Sequence, residues 1–144
     1  MEEVCRAFDW LCKRGYTFYW GTSEWSAAEI SEAIEICKAK GLQAPVVEQP
    51  EYNCLVRQRF EGEYAVVFKK HRYGSTIWSP LAAGVLSGKY NDGEAPADSR
   101  LGKSEFLKNF GFKKYFPEKS KEKSIQTLQN LGKLAAELGY TQAQ

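Results

Sequence analysis

The stretch Trp78-Ser79-Pro80-Leu81-Ala82-Ala83-Gly84-Val85-Leu86-Ser87-Gly88-Lys89-Tyr90 holds the residue types best suited to chemistry in this chain. A β-branched run, Ser75-Thr76-Ile77, ends there in an aromatic, a hydroxyl and a proline, and a glycine-punctuated loop with one lysine follows. A turn of this kind at the carboxyl end of a strand is where parallel α/β folds place ligands, with loop amides able to meet a phosphate. The same residues also read as a strand followed by a tight surface loop, and the stretch alone leaves both readings open.

Other chemistries find less support. Cys5, Cys12, Cys37 and Cys54 have no CxxC spacing, and His71 is the single histidine, so a zinc site is not expected. Three of these cysteines fall on apolar helix faces, where the thiol acts as a small hydrophobe. Free cysteines imply a reducing compartment, and the reading is cytoplasmic. Twenty basic and eighteen acidic side chains leave a net charge of +2, which gives no reason to expect nucleic acid as a partner. The one local excess of lysine, Lys113 to Lys123, is interrupted by Glu118, Glu122 and Pro117 and reads as a solvated loop. His71, near a helix end, reads as a surface residue. No apolar run approaches the roughly 18 residues of a membrane span, and the amphipathic, acidic N-terminus does not resemble a signal peptide.

The elements that must position the loop follow from pattern. The chain has 144 residues, 43% of them hydrophobic and 14% aromatic, enough for one domain with a core. Val4, Cys5, Phe8, Leu11 and Cys12 lie on one face of a helix over residues 2–14, stopped by Gly15. Thr17–Trp20 predicts a buried strand, bounded by Gly21. Ser26 and Glu29 form a capping box, with Trp25 and Ile30 placed as a hydrophobic staple, so Ser23 and Glu24 sit between a strand end and a helix start. That helix carries Ile30, Ala33, Ile34 and Cys37 inward and ends at Lys38–Gly41. Pro45–Gln49 predicts a second strand, and residues 55–72 a fainter helix, with Leu55, Phe60, Val67 and Phe68 apolar and Gly74 as its stop. Ser75–Trp78 is the third strand. Residues 91–114 read as a long turn-rich loop, a type of segment that is often functional. A final helix over 118–138 turns Ile125, Leu128, Leu131, Ala135 and Leu138 inward. Alternating strands and helices mean βαβ units and a parallel sheet, but three strands leave two edges exposed. Thr141 stands as an N-cap for a further helix, and the pattern reads as a segment of a larger α/β protein.

Three motifs in register carry a resemblance. Tyr19-Trp20-Gly21-Thr22-Ser23-x-Trp25-Ser26, Glu48-Gln49-x-Glu51-Tyr52 and the Trp78–Tyr90 stretch together are similar to the aldo-keto reductases, most closely the branch of voltage-gated potassium channel beta subunits and related bacterial oxidoreductases. The resemblance covers residues 2–144 and implies one incomplete aldo-keto reductase domain over 1–144. It implies an α/β fold, part of a (β/α)8 TIM barrel, in which the three strands resemble barrel strands five to seven. It also implies NADP(H) as cofactor, held across the carboxyl ends of the strands. On that footing Ser23 and Gln49 would bond the nicotinamide carboxamide, and Trp78 would pack beside the ring. The run Ser79, Pro80, Leu81, Ala82 and Gly84 would meet the pyrophosphate, with Lys89 and Arg100 supplying positive charge. Each residue has a plainer alternative: Ser23 as a loop cap, Gln49 as a partner for strand-end backbone, Trp78 as core, Lys89 as a solvated tip.

Two departures from the family pattern follow. Glu24 stands where the channel branch commonly has arginine and many relatives asparagine, and a carboxylate there does not help to bind an anion. The family's tetrad of aspartate, tyrosine, lysine and histidine lies on its first four strands, and its closing loop follows strand eight; neither has a counterpart here. Tyr16, Tyr19 and Tyr52 are no substitutes, because the general acid must stand beside lysine and histidine at the carbonyl. The expectation is therefore a chain that carries cofactor contacts but is inactive alone, with a carbonyl substrate in the complete protein. A cytosolic potassium channel beta-subunit-like regulatory protein or an inactive truncated fragment are the alternatives, and a potassium channel or a second copy of the chain are the macromolecular partners to expect.

Overall fold

The computed structural model describes residues 1–144. They form two compact units, Met1–Pro80 and Leu81–Gln144.

In the first unit, helix α1 (Glu2–Lys13) ends at Gly15, whose amide donates to the Cys12 carbonyl while that of Tyr16 reaches Leu11. Helix α2 (Ala27–Lys40) opens on the expected capping box: Ser26 accepts from the Glu29 amide, and the Glu29 carboxylate accepts from the Ser26 amide. Strands β1 (Val47–Glu48) and β2 (Gly74–Ser75) pair in parallel, Val47 opposite Gly74 and Glu48 opposite Ser75. On the other side of β1, Thr22 bridges Glu48 in parallel, its amide donating to Val47 and its carbonyl accepting from Gln49. Trp78 likewise bridges Glu51 in parallel. β1 is thus the middle one of three parallel extended segments, in the order expected. Gly21 is required by the closeness of this pairing, since a Cβ there would stand 2.5 Å from the Val47 carbonyl oxygen.

Three details of this unit's backbone differ from expectation. The first extended segment pairs only over residues 20–22, and Phe18 and Tyr19 are 85% and 68% exposed rather than buried. Thr17 Oγ1 donates to the Tyr19 carbonyl, a local bond that competes with a ladder, while Trp20 is buried flat against Phe8 at 4.5 Å. Residues 53–56 form a turn in which Asn53 Oδ1 accepts from the amides of Leu55 and Val56, which leaves Leu55 exposed. Regular structure resumes only in a π-helical turn, Arg59–Glu63, and helix α3 (Ala65–His71). α3 is ended by Arg72 in the left-handed region, and Gly74 belongs to β2.

Two apolar clusters hold this unit: Cys5, Trp20, Ala33 and Cys37 in one, Ile30, Tyr64, Val67 and Tyr73 in the other. Burial pushes the Cys37 thiol up to about 12, an inert packing role. All four cysteines are free, and Cys54 is exposed. His71 is half-buried, not a surface residue, and its Nε2 is shielded from solvent without a hydrogen-bond partner.

In the second unit, a kinked 3-10 stretch, Ala82–Ser87, leads into turns and then a π-helical stretch, Leu107–Phe112. A single turn, α4 (Lys113–Tyr115), and a long helix, α5 (Lys121–Glu137), complete it. Ala82, Val85, Leu86, Tyr90, Leu101, Phe116 and Leu128 form its core, with Ile125 and Leu131 packed against them. Leu138, expected inward, is 64% exposed, because α5 stops one residue before it. No helix is long and apolar enough to cross a membrane.

Candidate functional site

The carboxyl ends of the three parallel segments gather polar side chains in the first unit. Ser23 is exposed, and its hydroxyl donates to the Gln49 carbonyl at 3.1 Å. Gln49 is exposed as well, with Nε2 set 3.4 Å from Thr76 Oγ1. Ladder bonds on either side of β1 fix this adjacency, so the two candidate carboxamide partners do come together. Trp78 is 41% exposed, which overturns a core role for it. Ser79 is left-handed at φ 55°, and its carbonyl accepts from Asn53 Nδ2 at 3.1 Å. Pro80 lines a cavity of about 330 Å³ with Tyr52, Asn53, Cys54, Arg57 and Ile77.

Glu24 is the residue on which these ends converge. Its backbone is left-handed, φ 58°, which turns the side chain back across the ladder. Oε1 accepts from the Glu51 amide at 2.7 Å and from the Trp78 indole at 2.8 Å. Oε2 pairs with Arg59 Nη1. Arg59 also donates to the Trp25 carbonyl at 3.0 Å and to Glu63 at 3.2 Å, and stacks over Tyr64. The carboxylate therefore does not face an incoming anion uncompensated. Sequence reasoning missed this network, since Glu24 lies 35 residues from Arg59 and 54 from Trp78.

Beneath the row lies a second feature that sequence did not reveal. Glu48 is fully buried, with Oε2 accepting from Thr22 and Oε1 left without a partner. Tyr73 completes the chain, 3.1 Å from Thr22 Oγ1. Burial raises the Glu48 carboxyl above its ordinary value; Thr22 and the nearby amides of Glu24 and Trp25 offset this in part. Burial likewise pushes Tyr73 up to about 12. Strand alternation is the signal that could have found it: with Gln49 outward, Glu48 must point in.

The second unit holds the rest of the candidate set. Leu81 is partly exposed, and Ala82 is buried in the core. Ala82, Ala83 and Gly84 are all left-handed, a costly run for residues with a Cβ and one that recurs at ligand-binding turns. The Gly84 amide is donated to the Leu81 carbonyl at 2.8 Å, so it turns inward rather than toward a ligand. Lys89 lies against this turn: a Cβ at Gly84 would stand 3.3 Å from its Nζ. Arg100 is exposed in a later turn, next to Leu101, whose amide donates to the Tyr90 hydroxyl at 3.4 Å. The structure therefore brings Lys89 to Gly84.

A parallel ladder between helices, with polar and aromatic side chains lined up where its segments end, defines an α/β protein built to present groups at strand termini. The sequence profile of the aldo/keto reductase family matches residues 1–144, and the chain belongs to that family. Probable voltage-gated potassium channel beta subunits of rice (Oryza sativa subsp. japonica) and Arabidopsis thaliana are each 42% identical over all 144 residues. A putative one from Schizosaccharomyces pombe is 43% identical over the same span. The chain covers 42%, 42% and 40% of the length of those three relatives.

Proposed function

We propose that this chain forms strands five to seven of an NADP(H)-dependent aldo-keto reductase barrel and supplies its nicotinamide and pyrophosphate contacts. The observation that carries this reading is the pair Ser23 and Gln49, side by side at the ends of two adjacent parallel segments, with Trp78 two residues further along the third segment, opposite Glu51. The residues fit the group. Two short polar side chains stand exposed where a carboxamide needs donors and acceptors, and an exposed indole offers a flat apolar wall. Lys89 places a cation against a left-handed turn, which suits a phosphate. Arg59 cancels the Glu24 charge that otherwise opposes an anion.

When bound, NADPH supplies the hydride for a carbonyl carbon in the complete barrel. This chain's residues bind and orient; they do not deliver the proton. Tyr52 donates its hydroxyl to Glu61 at 2.8 Å, a bond that raises its pKa. Tyr16 and Tyr19 are exposed, and the one histidine keeps Nε2 buried. The chain alone is therefore expected to bind cofactor without reducing a carbonyl, in a cytoplasmic setting.

Titrating the purified chain with NADPH, while following its tryptophan fluorescence, tests the reading. Saturable quenching is expected, weakened about tenfold in Gln49→Ala for the loss of a hydrogen bond to the carboxamide. Trp78→Ala should remove most of the signal. A chain that is folded by circular dichroism yet shows no saturable quenching would overturn the proposal.

A second reading rests on the three relatives named as potassium channel beta subunits at 42–43% identity. Here the cofactor is a ligand of a regulatory subunit. Co-purification with the cytoplasmic part of a voltage-gated potassium channel is its test. NADPH binding without channel association would favour the enzyme.

A further inference from the structure

Glu24 links three loops at the carboxyl ends of the extended segments. One oxygen holds the amide of Glu51 and the indole of Trp78, at 2.7 and 2.8 Å, and so ties the loop after the first segment to those after β1 and β2. The other oxygen is paired with Arg59, itself fixed by the Trp25 carbonyl, Glu63 and the face of Tyr64. Glu24 and Arg59 are both 39% exposed, so neither is buried for packing. Trp78 is also well exposed, and an exposed indole without a fixed acceptor samples several rotamers. An ionised acceptor gives a stronger bond than a neutral one, and Arg59 fixes the acceptor in turn.

We infer that Glu24, charge-balanced and held in place by Arg59, is the positioning residue that sets the orientation of the Trp78 ring at the nicotinamide site. The inference rests on the cofactor reading for its consequence, but the positioning itself is a property of the free chain. Its chemistry is specific: an oxygen acceptor on the Glu24 side chain, and a cation at Arg59 so that the acceptor carries no net field against an anionic ligand. The change Glu24→Gln keeps the acceptor, whereas Glu24→Ala removes it.

Exchange of the indole N–H protons in the ¹⁵N-labelled 144-residue chain provides the test. Four tryptophans give four indole signals, and Trp78→Phe identifies the one of interest. The Trp78 indole should be protected in the wild type and should exchange about tenfold faster or more in Glu24→Ala, as expected for loss of a bond to a charged acceptor. Glu24→Gln should retain most of the protection, a rescue that a general packing role would not give. Should Glu24→Ala fail to fold, Glu24→Asp, one methylene shorter, must show the same acceleration. Arg59→Met adds a separate prediction: NADPH affinity falls, and falls more at low salt than at high, because the carboxylate is then uncompensated. Unchanged indole exchange in Glu24→Ala or Glu24→Asp overturns the inference. Accelerated exchange with no NADPH binding by the wild type would uphold Glu24 as the holder of Trp78 and discard the cofactor reading instead.

Discussion

Two buried carboxylates in the first unit respond to pH in opposite directions. Glu48 has a folded-state pKa above the ordinary 4.5, chiefly because burial disfavours its charge. The folded chain thus holds this proton more tightly than the unfolded one. The stability it contributes is complete below pH 4.5 and is lost as pH rises through the raised value. Asp9 is the reverse case: the Lys13 ammonium at 2.8 Å, and then the Gln43 amide at 2.8 Å, hold its carboxyl below the ordinary 3.8. Its contribution is present above pH 3.8 and fades as pH falls through the lowered value. Glu48→Gln, which still accepts from Thr22, should flatten the fall in the urea midpoint that the wild type shows as pH rises above 4.5, and leave the midpoint above that fall equal or higher. Asp9→Asn should flatten only the acid limb. A Glu48→Gln profile that tracks the wild type across the upper window would show that the carboxyl is not what titrates. At this scale the sequence was partly readable. Ser23, Gln49 and Trp78 could be singled out because short motifs surround them, but the partners of Glu24 and Glu48 are 26 to 54 residues distant and no local spacing announces them.

The elements show the same division between local and long-range causes. The start of α2 was legible because a capping box is a short local pattern with its own hydrogen bonds, and those bonds are present. The first extended segment was misplaced because Thr17-Phe18-Tyr19-Trp20 has the β-propensity of a strand, yet only pairing decides where one lies. Val46, Val47 and Gln49 make that pairing with residues 20–22 and leave Phe18 to solvent. The helix over 55–72 failed in its first half for a similar reason: Asn53 and Val56 bond each other's backbone in both directions, and this tight turn takes the Val56 carbonyl that a helix would offer to the amide of residue 60. These causes predict unequal costs for two small substitutions. Ser26→Ala removes one cap and should cost about 1 kcal/mol. Gly21→Ala puts a methyl 2.5 Å from both the carbonyl oxygen and Cγ1 of Val47, in a ladder that cannot shift without breaking, and should cost about 2 kcal/mol or more. Chemical denaturation of the two variants ranks them. Equal costs would mean that the ladder yields more easily than its hydrogen bonds suggest.

Over the whole molecule, the order of helices and extended segments was legible because period-2 and period-3.6 patterns alternate along the chain. What covers the outer edges was not. The segments flanking β1 each pair on the β1 side, over residues 20–22 and 74–78, and three short segments make a small sheet. Large apolar side chains are exposed in both units: Phe18 at 85% and Tyr19 at 68% in the first, Phe106 at 65% and Phe110 at 69% in the second. Monomeric soluble proteins seldom leave so many large aromatic side chains in water, and unpaired strand edges offer a template for another chain. With a net charge of only +2, long-range repulsion does little to keep copies apart. The purified chain should therefore self-associate, with a weight-average mass in sedimentation that rises with concentration above the monomer's 16.3 kDa. Added salt should strengthen the association, as expected for apolar contact, and Phe18→Ser with Phe110→Ser should weaken it. A chain that stays monomeric at high concentration would instead mean that the exposed aromatics are too scattered to form a contact surface, and that the short ladder tolerates its open edges.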